Sequence, residues 1–213
     1  MREIDSFKDV FQYTPTENVS VISVHETSGQ AKIRHLHVVG LGKHFALFCE
    51  KCSVMAGSLF KKSSHCTKNA DGTIFFEDSG MKCMLLCELK SSGGGVFKSA
   101  YQQTFSTYLK MCMMMSICEG FDISNYQLYF LFTAQDGAEL AVRRNEIEQI
   151  EESERNDEDK IRLRLLKGES VKLRMNSVPV NMSFLDTNLV CKDVVCKLVT
   201  SPTDRIVVDV SQL

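Results

Sequence analysis

Asp71-Gly72-Thr73-Ile74-Phe75-Phe76-Glu77-Asp78-Ser79-Gly80-Met81-Lys82-Cys83-Met84-Leu85-Leu86-Cys87-Glu88-Leu89-Lys90 is the stretch on which the reading of this chain turns. Two apolar runs, residues 73–76 and 83–87, flank the polar group Glu77-Asp78-Ser79-Gly80, the pattern of a β-hairpin closed by a Gly-containing turn. With Ser79-Gly80 as a two-residue loop, Asp78 faces Met81, and counting outward sets Asp71 directly opposite Glu88. Opposed residues of an antiparallel pair hold their Cβ atoms roughly 5 Å apart. Lys90 lies two residues beyond Glu88 and leaves the same face of the strand. The open end of the hairpin therefore gathers two carboxylates and one ammonium, whereas Asp78, at the tip, reads as a turn residue.

Adjacent carboxylates repel unless a cation lies between them, and a divalent metal is the usual answer. Mg²⁺ is held by one or two carboxylates together with water and substrate phosphate. So placed, it supplies a nucleophilic water and neutralises charge on a phosphoryl group. The competing reading is structural: Asp71-Gly72 as turn chemistry and Glu88-Leu89-Lys90 as a solvated strand end. Residues 83–87 are apolar on both faces, which predicts a central, buried strand, where unpaired charge is expensive. That weighs for the metal.

Asp71 followed, after a gap of strand, by Glu88-Leu89-Lys90 resembles the PD-(D/E)xK nuclease superfamily, with Ala70 where the family name has proline. The likeness extends through the small-residue loop Ser91-Ser92-Gly93-Gly94-Gly95 to a helix carrying Gln102 and Gln103, and covers about residues 45–135. The resemblance implies an α-β-β-β-α-β core, with Mg²⁺ or Mn²⁺ on Asp71, Glu88 and the main-chain carbonyl of Leu89. It also implies that Lys90 positions water or steadies the transition state, and that Gln103 assists, Gln102 being the alternative in register. Some members place an acid from the first core helix near the metal, which makes Glu50 a further candidate, with a solvent-facing role as its rival. Lys61, Lys62 and Lys98 are candidates for contact with a phosphate backbone.

At 213 residues and 24.0 kDa, with 44% hydrophobic and 24% charged residues, the chain fits one globular domain, residues 1–213. A net charge of −2 offers no global attraction to a polyanion, so nucleic acid would be bound through a local patch, a metal or a partner subunit. The first ten residues carry mixed charge and lack a signal-peptide pattern. The apolar run 111–118 is too short to span a bilayer, and a cytoplasmic protein without membrane contact is expected. Nine cysteines, an odd number scattered mostly in apolar runs, read as small hydrophobes of a reducing compartment. Cys49, Cys52, His65 and Cys66 suggest a zinc site, but the second pair lacks knuckle spacing and core packing is the better account.

Along the chain, Phe7, Val10 and Phe11 mark a short amphipathic helix, and residues 18–25 and 31–39 alternate as a hairpin. His35 and His37 share one strand face, read as surface-facing rather than as metal ligands. Residues 44–60 predict a largely buried helix, and 96–118 a long one whose buried stripe includes Ala100, Tyr101, Thr104, Tyr108, Met111 and Met115. Its preceding glycine loop lacks the Gly-Lys-Ser/Thr ending of a nucleotide-binding loop. Residues 126–134 predict a central strand, and 143–160 a charged, solvated face. Residues 160–166 and 170–175 alternate around Lys167-Gly168-Glu169 as a second hairpin. Residues 181–197 suggest a helix and 206–210 a closing strand.

The expected fold is α/β or α+β: a restriction-endonuclease-like core, its central mixed sheet flanked by helices, with additional β-hairpins at both ends. The expected function is metal-dependent hydrolysis of phosphodiesters in nucleic acid, DNA ahead of RNA, by the chain alone, as a homo-oligomer or with a partner protein. The alternative is a non-catalytic binding or assembly module that keeps this fold within a larger nucleic-acid or defence complex. The low net charge favours that alternative; the intact Asp71–Glu88–Lys90 set argues against it.

Overall fold

The computed structural model describes residues 2–11, 14–26, 31–48, 69–90, 98–175 and 192–213, with Lys98 described by its backbone alone. The 71–90 hairpin forms as its sequence dictates. Strands β5 (Gly72–Asp78) and β6 (Met81–Lys90) pair antiparallel with Asp78 opposite Met81 and Gly72 opposite Cys87. Ser79 and Gly80 both take positive φ, +50° and +82°, the geometry of a two-residue turn whose twist matches that of the strands it joins. The last pair of the ladder is Gly72–Cys87, one short of Asp71–Glu88, and the Asp71 N–H donates to the Cys87 carbonyl at 2.9 Å.

Around this hairpin stands a seven-stranded mixed sheet in the order β1-β4-β5-β6-β7-β9-β8. Its further strands are β1 (Thr16–Glu17), β4 (His44–Phe48), β7 (Tyr126–Gln135), β8 (Val171–Arg174) and β9 (Asp193–Ser201). β4, β5 and β6 form an antiparallel meander; β6, β7 and β9 run parallel; β8 closes the edge antiparallel. Parallel neighbours need a crossover, and between β6 and β7 it contains helix α2 (Lys98–Met115). The amino-terminal end of α2 thereby lies at the end of the sheet where β6 finishes.

Helices α1 (Arg2–Val10), α2, α3 (Ala138–Glu148) and α4 (Asp157–Leu166) all contribute to the apolar layer on one face, through Ile4, Phe7, Tyr108, Leu140 and Leu165 among others, packed on Phe45, Phe75, Met84, Leu86 and Phe130. The other face is covered by a three-stranded sheet, β10-β3-β2, formed from β2 (Ile22–His25), β3 (His35–Val39) and β10 (Arg205–Asp209). Its inward residues Ile22, Val24, Leu36, Val38, Ile206 and Val208 meet Ile74, Phe76, Cys83, Leu85 and Leu131. The architecture is thus helices, mixed sheet, small sheet. β6 is buried on both faces from Cys83 to Leu89, as its unbroken apolar run predicts. Among the described residues no helix is long and apolar enough to cross a membrane.

Three secondary-structure expectations are corrected. Residues 44–48 form a strand rather than the start of a helix: Phe45 and Leu47 face the helical layer while Ala46 faces the small sheet. A continuous apolar run carries no period that separates strand from helix; residues 49–60 lie outside those described. Residues 160–166 belong to α4, not to a hairpin. Asn156 caps that helix by accepting from the Asp159 N–H at 2.9 Å, and three acids occupy its first turn. Gly168, at φ +78°, ends it: its N–H donates to Leu165 and the Glu169 N–H to Arg164, a Schellman cap. A left-handed glycine serves a helix end as well as a hairpin turn, which is why Lys167-Gly168-Glu169 misleads. Residues 193–197 are strand, with Val194, Cys196 and Leu198 buried at period two; 181–191 lie outside the described residues.

Candidate active site at the mouth of the hairpin

Asp71 and Glu88 lie just beyond the last pair of the hairpin, Gly72–Cys87, close enough for the charge of one to act on the other. Asp71 Oδ2 accepts from the Leu89 N–H at 2.6 Å. A residue's N–H and C=O leave a strand on the same edge, so the Leu89 carbonyl also leaves on the Asp71 side. Glu88 is 1% exposed. Its Oε1 forms an ion pair with the Lys90 ammonium, and its Oε2 is buried without a hydrogen-bond partner among the described residues. Lys90 also donates to Gln103 Oε1, which accepts a second bond from Ser99 Oγ at 3.1 Å. Asp71, Glu88, Leu89, Lys90 and Gln103 are therefore brought together, and Gln103 is the glutamine bonded to the lysine.

Burial pushes the Glu88 carboxyl up to about 8, and the Asp71 charge pushes the same way. The Lys90 ammonium pulls it down without offsetting burial, and Glu26 adds a further upward push. Glu26 follows β2, a position with no local signal in the sequence. It comes near because β2 docks on β5 at Gly72, where an added Cβ would stand 2.9 Å from Val24 Cγ2. Glycine permits that approach of one sheet to the other.

Helix α2 fixes the chain entering the site. The Ala70 N–H donates to Thr107 Oγ1 at 2.7 Å, Gln103 Nε2 donates to the Asn69 carbonyl at 3.2 Å, and Lys110 Nζ donates to Asn69 Oδ1. Thr107 Oγ1 in turn donates to the Gln103 carbonyl at 2.9 Å. Lys110, 2% exposed, is among the largest fully buried side chains. Residues 103, 107 and 110 are spaced to share one helix face, a signal that marks Thr107 and Lys110 once Gln103 is suspected. Glu50, Lys61, Lys62 and the residues of the zinc alternative, Cys49, Cys52, His65 and Cys66, lie outside the described residues. Lys98 opens α2 and its side chain is likewise outside them.

The donor set suits a hard divalent cation: two carboxylates, one with an orphaned buried oxygen, beside a main-chain carbonyl. Among the described residues no group of three or more histidine, cysteine, aspartate or glutamate side chains converges on one point. An ion here would keep several waters, as Mg²⁺ and Mn²⁺ do and as structural zinc does not.

No protein-family model, curated protein or solved structure matches the chain.

Proposed function

We propose that this protein is a Mg²⁺- or Mn²⁺-dependent phosphodiesterase acting on nucleic acid in the cytoplasm, DNA ahead of RNA, of the PD-(D/E)xK kind. The observation that carries the reading is the buried Glu88 Oε2, without a hydrogen-bond partner among the described residues and under the charge of Asp71. A carboxylate oxygen removed from water without a donor is unfavourable unless a cation or proton completes it. The order β4-β5-β6-α2-β7 agrees with the β-β-β-α-β part of the core that the resemblance implies. Asp71, Glu88 and the Leu89 carbonyl would hold the ion, which when bound supplies charge neutralisation and an activated water. Lys90 would present its ammonium to the attacking water or the phosphate, Gln103 would hold Lys90 in place, and the α2 contacts to residues 69 and 70 would keep Asp71 at its station.

A second reading, a non-catalytic binding module, is favoured by the self-contained bonding of the set: Lys90 already pairs Glu88, and Asp71 already caps Leu89. Incubation with Mn²⁺ and single- or double-stranded DNA or RNA separates the two. The catalytic reading expects cleavage that falls about a hundredfold or more in Lys90→Ala and Glu88→Gln. Cleavage that survives both substitutions overturns the site assignment, and Mn²⁺ binding without cleavage of any polymer favours the module.

A further inference from the structure

Three of the five histidines of the chain, His25, His35 and His37, stand together on the outer face of the small sheet, remote in role from the hairpin mouth. Register explains the grouping. β2 and β3 pair His25 with His35 and Ser23 with His37, while Ile22, Val24, Leu36 and Val38 turn inward. The Glu26 N–H donates to the Arg34 carbonyl at 3.2 Å, so 26/34 is a hydrogen-bonded pair. Pairs alternate along an antiparallel ladder, which makes 25/35 and 23/37 the non-hydrogen-bonded kind, with side chains closer together. The Nδ1 atoms of His25 and His35 accordingly lie 3.0 Å apart, their rings edge to face with centroids 5.1 Å apart. His37 is held to one side: its Nδ1 is bonded to Ser23 Oγ at 2.9 Å, and its ring lies parallel to that of His35 at 6.4 Å.

We propose that His25 and His35 form a two-imidazole chelate for a first-row transition-metal ion of the Ni²⁺ or Cu²⁺ type. Two nitrogens 3.0 Å apart, each about 2.1 Å from a common metal, subtend roughly a right angle there. That bite suits octahedral or tetragonal coordination; a tetrahedral ion asks for about 3.4 Å. The contact between the two rings holds one proton between two nitrogens; a metal binds once the rings turn both lone pairs to a common point and that proton passes to the far nitrogen of its ring. Water completes the coordination, since no third ligand converges among the described residues. Nitrogen donors separate this site from the oxygen-lined hairpin mouth: the first takes Ni²⁺ or Cu²⁺, the second Mg²⁺ or Mn²⁺. Arg205, opposite His35 in the β10–β3 register, brings a cation to the same face and weakens the site.

Calorimetric titration of the untagged full chain with NiCl₂ tests the proposal. One saturable site is expected, weakened more than about tenfold by His25→Ala and by His35→Ala. Asp71→Asn is expected to leave it unchanged, whatever the fate of the proposed phosphodiesterase, and Arg205→Gln to tighten it. Cu²⁺ electron paramagnetic resonance supplies a second readout, with hyperfine coupling to two imidazole nitrogens in the wild type. Absence of saturable Ni²⁺ binding, or binding and a two-nitrogen signature that persist in both alanine variants, overturns the proposal.

Discussion

Strand β6 carries a lysine near each end, and each lysine meets a glutamate that is 1% exposed. At the turn end Lys82 pairs with Glu3 of α1; at the mouth Lys90 pairs with Glu88. The two glutamates nevertheless titrate in opposite directions. Burial raises Glu3, but hydrogen bonds from Lys82, its own backbone and Tyr126, together with the Lys82 charge, outweigh it and hold the carboxyl below the usual range. Tyr126 donates to the same Oε1 that meets Lys82, at 3.2 Å. Among the described residues Glu88 has no such third partner and one oxygen without any, and a second acid acts on it. Two glutamates of equal exposure, each paired with a lysine of β6, thus yield a finished structural ion pair at one end and an unfinished one at the other. Deeper desolvation, a neighbouring acid and fewer donors set Glu88 apart, and together they make the mouth a candidate cation site.

The largest expected effect is a pH dependence of opposite sign at the two ends. An acid whose pKa rises on folding keeps a proton that the unfolded chain has released, so the folded state binds more protons and stability falls as pH rises. For Glu88 the window runs from its ordinary range up to about 8, each pH unit being worth at most about 1.4 kcal/mol. Urea unfolding without divalent ions should show stability declining from pH 5 to 8, Glu88→Gln should flatten the decline, and Mn²⁺ should restore stability at pH 8. A flat profile with Glu88 intact breaks the comparison. Glu3 behaves inversely: its contribution is present at neutral pH and lost in acid, as the pH falls through its lowered pKa.

Glu3→Gln should come next, costing about 2 kcal/mol at pH 7 and progressively less in acid. Lys82 is 30% exposed, which keeps the loss below that of a fully buried pair. Chemical unfolding of the variant at pH 7 and pH 3 checks both parts. Thr107→Val should then cost about 1 kcal/mol by leaving the Ala70 N–H without its acceptor. If residues 69 and 70 hold Asp71 in place, the same variant should also bind Mn²⁺ more weakly; unchanged binding would free Asp71 from dependence on α2. The smallest effect is expected at the tip. Gly80→Ala should cost about 1 kcal/mol, because φ is +82° while no atom lies within 4 Å to obstruct a methyl. Manganese affinity should not move, since the tip is the far end of the hairpin from the mouth.

Much of the site was legible because it is local. Asp71, Glu88 and Lys90 follow from counting outward from Ser79-Gly80, whereas Gln103 comes from the resemblance and Thr107 only from the structure. The fold was legible where alternation or an unbroken apolar run had a single reading, as in β3, β6 and β7. It was illegible at residues 44–48, where burial on both faces erases the period, and at 160–166, where a cap and a turn use the same glycine.

The sequence alone determined which residues oppose one another across the hairpin, because pairing register is arithmetic once the turn is known. Tertiary structure alone decided that Glu88 is dry, that Glu26 adds its charge to the site, and that Lys110 reaches Asn69. Desolvation and charge are sums over groups far apart in the chain, and the docking of α2 on one face and the small sheet on the other sets them.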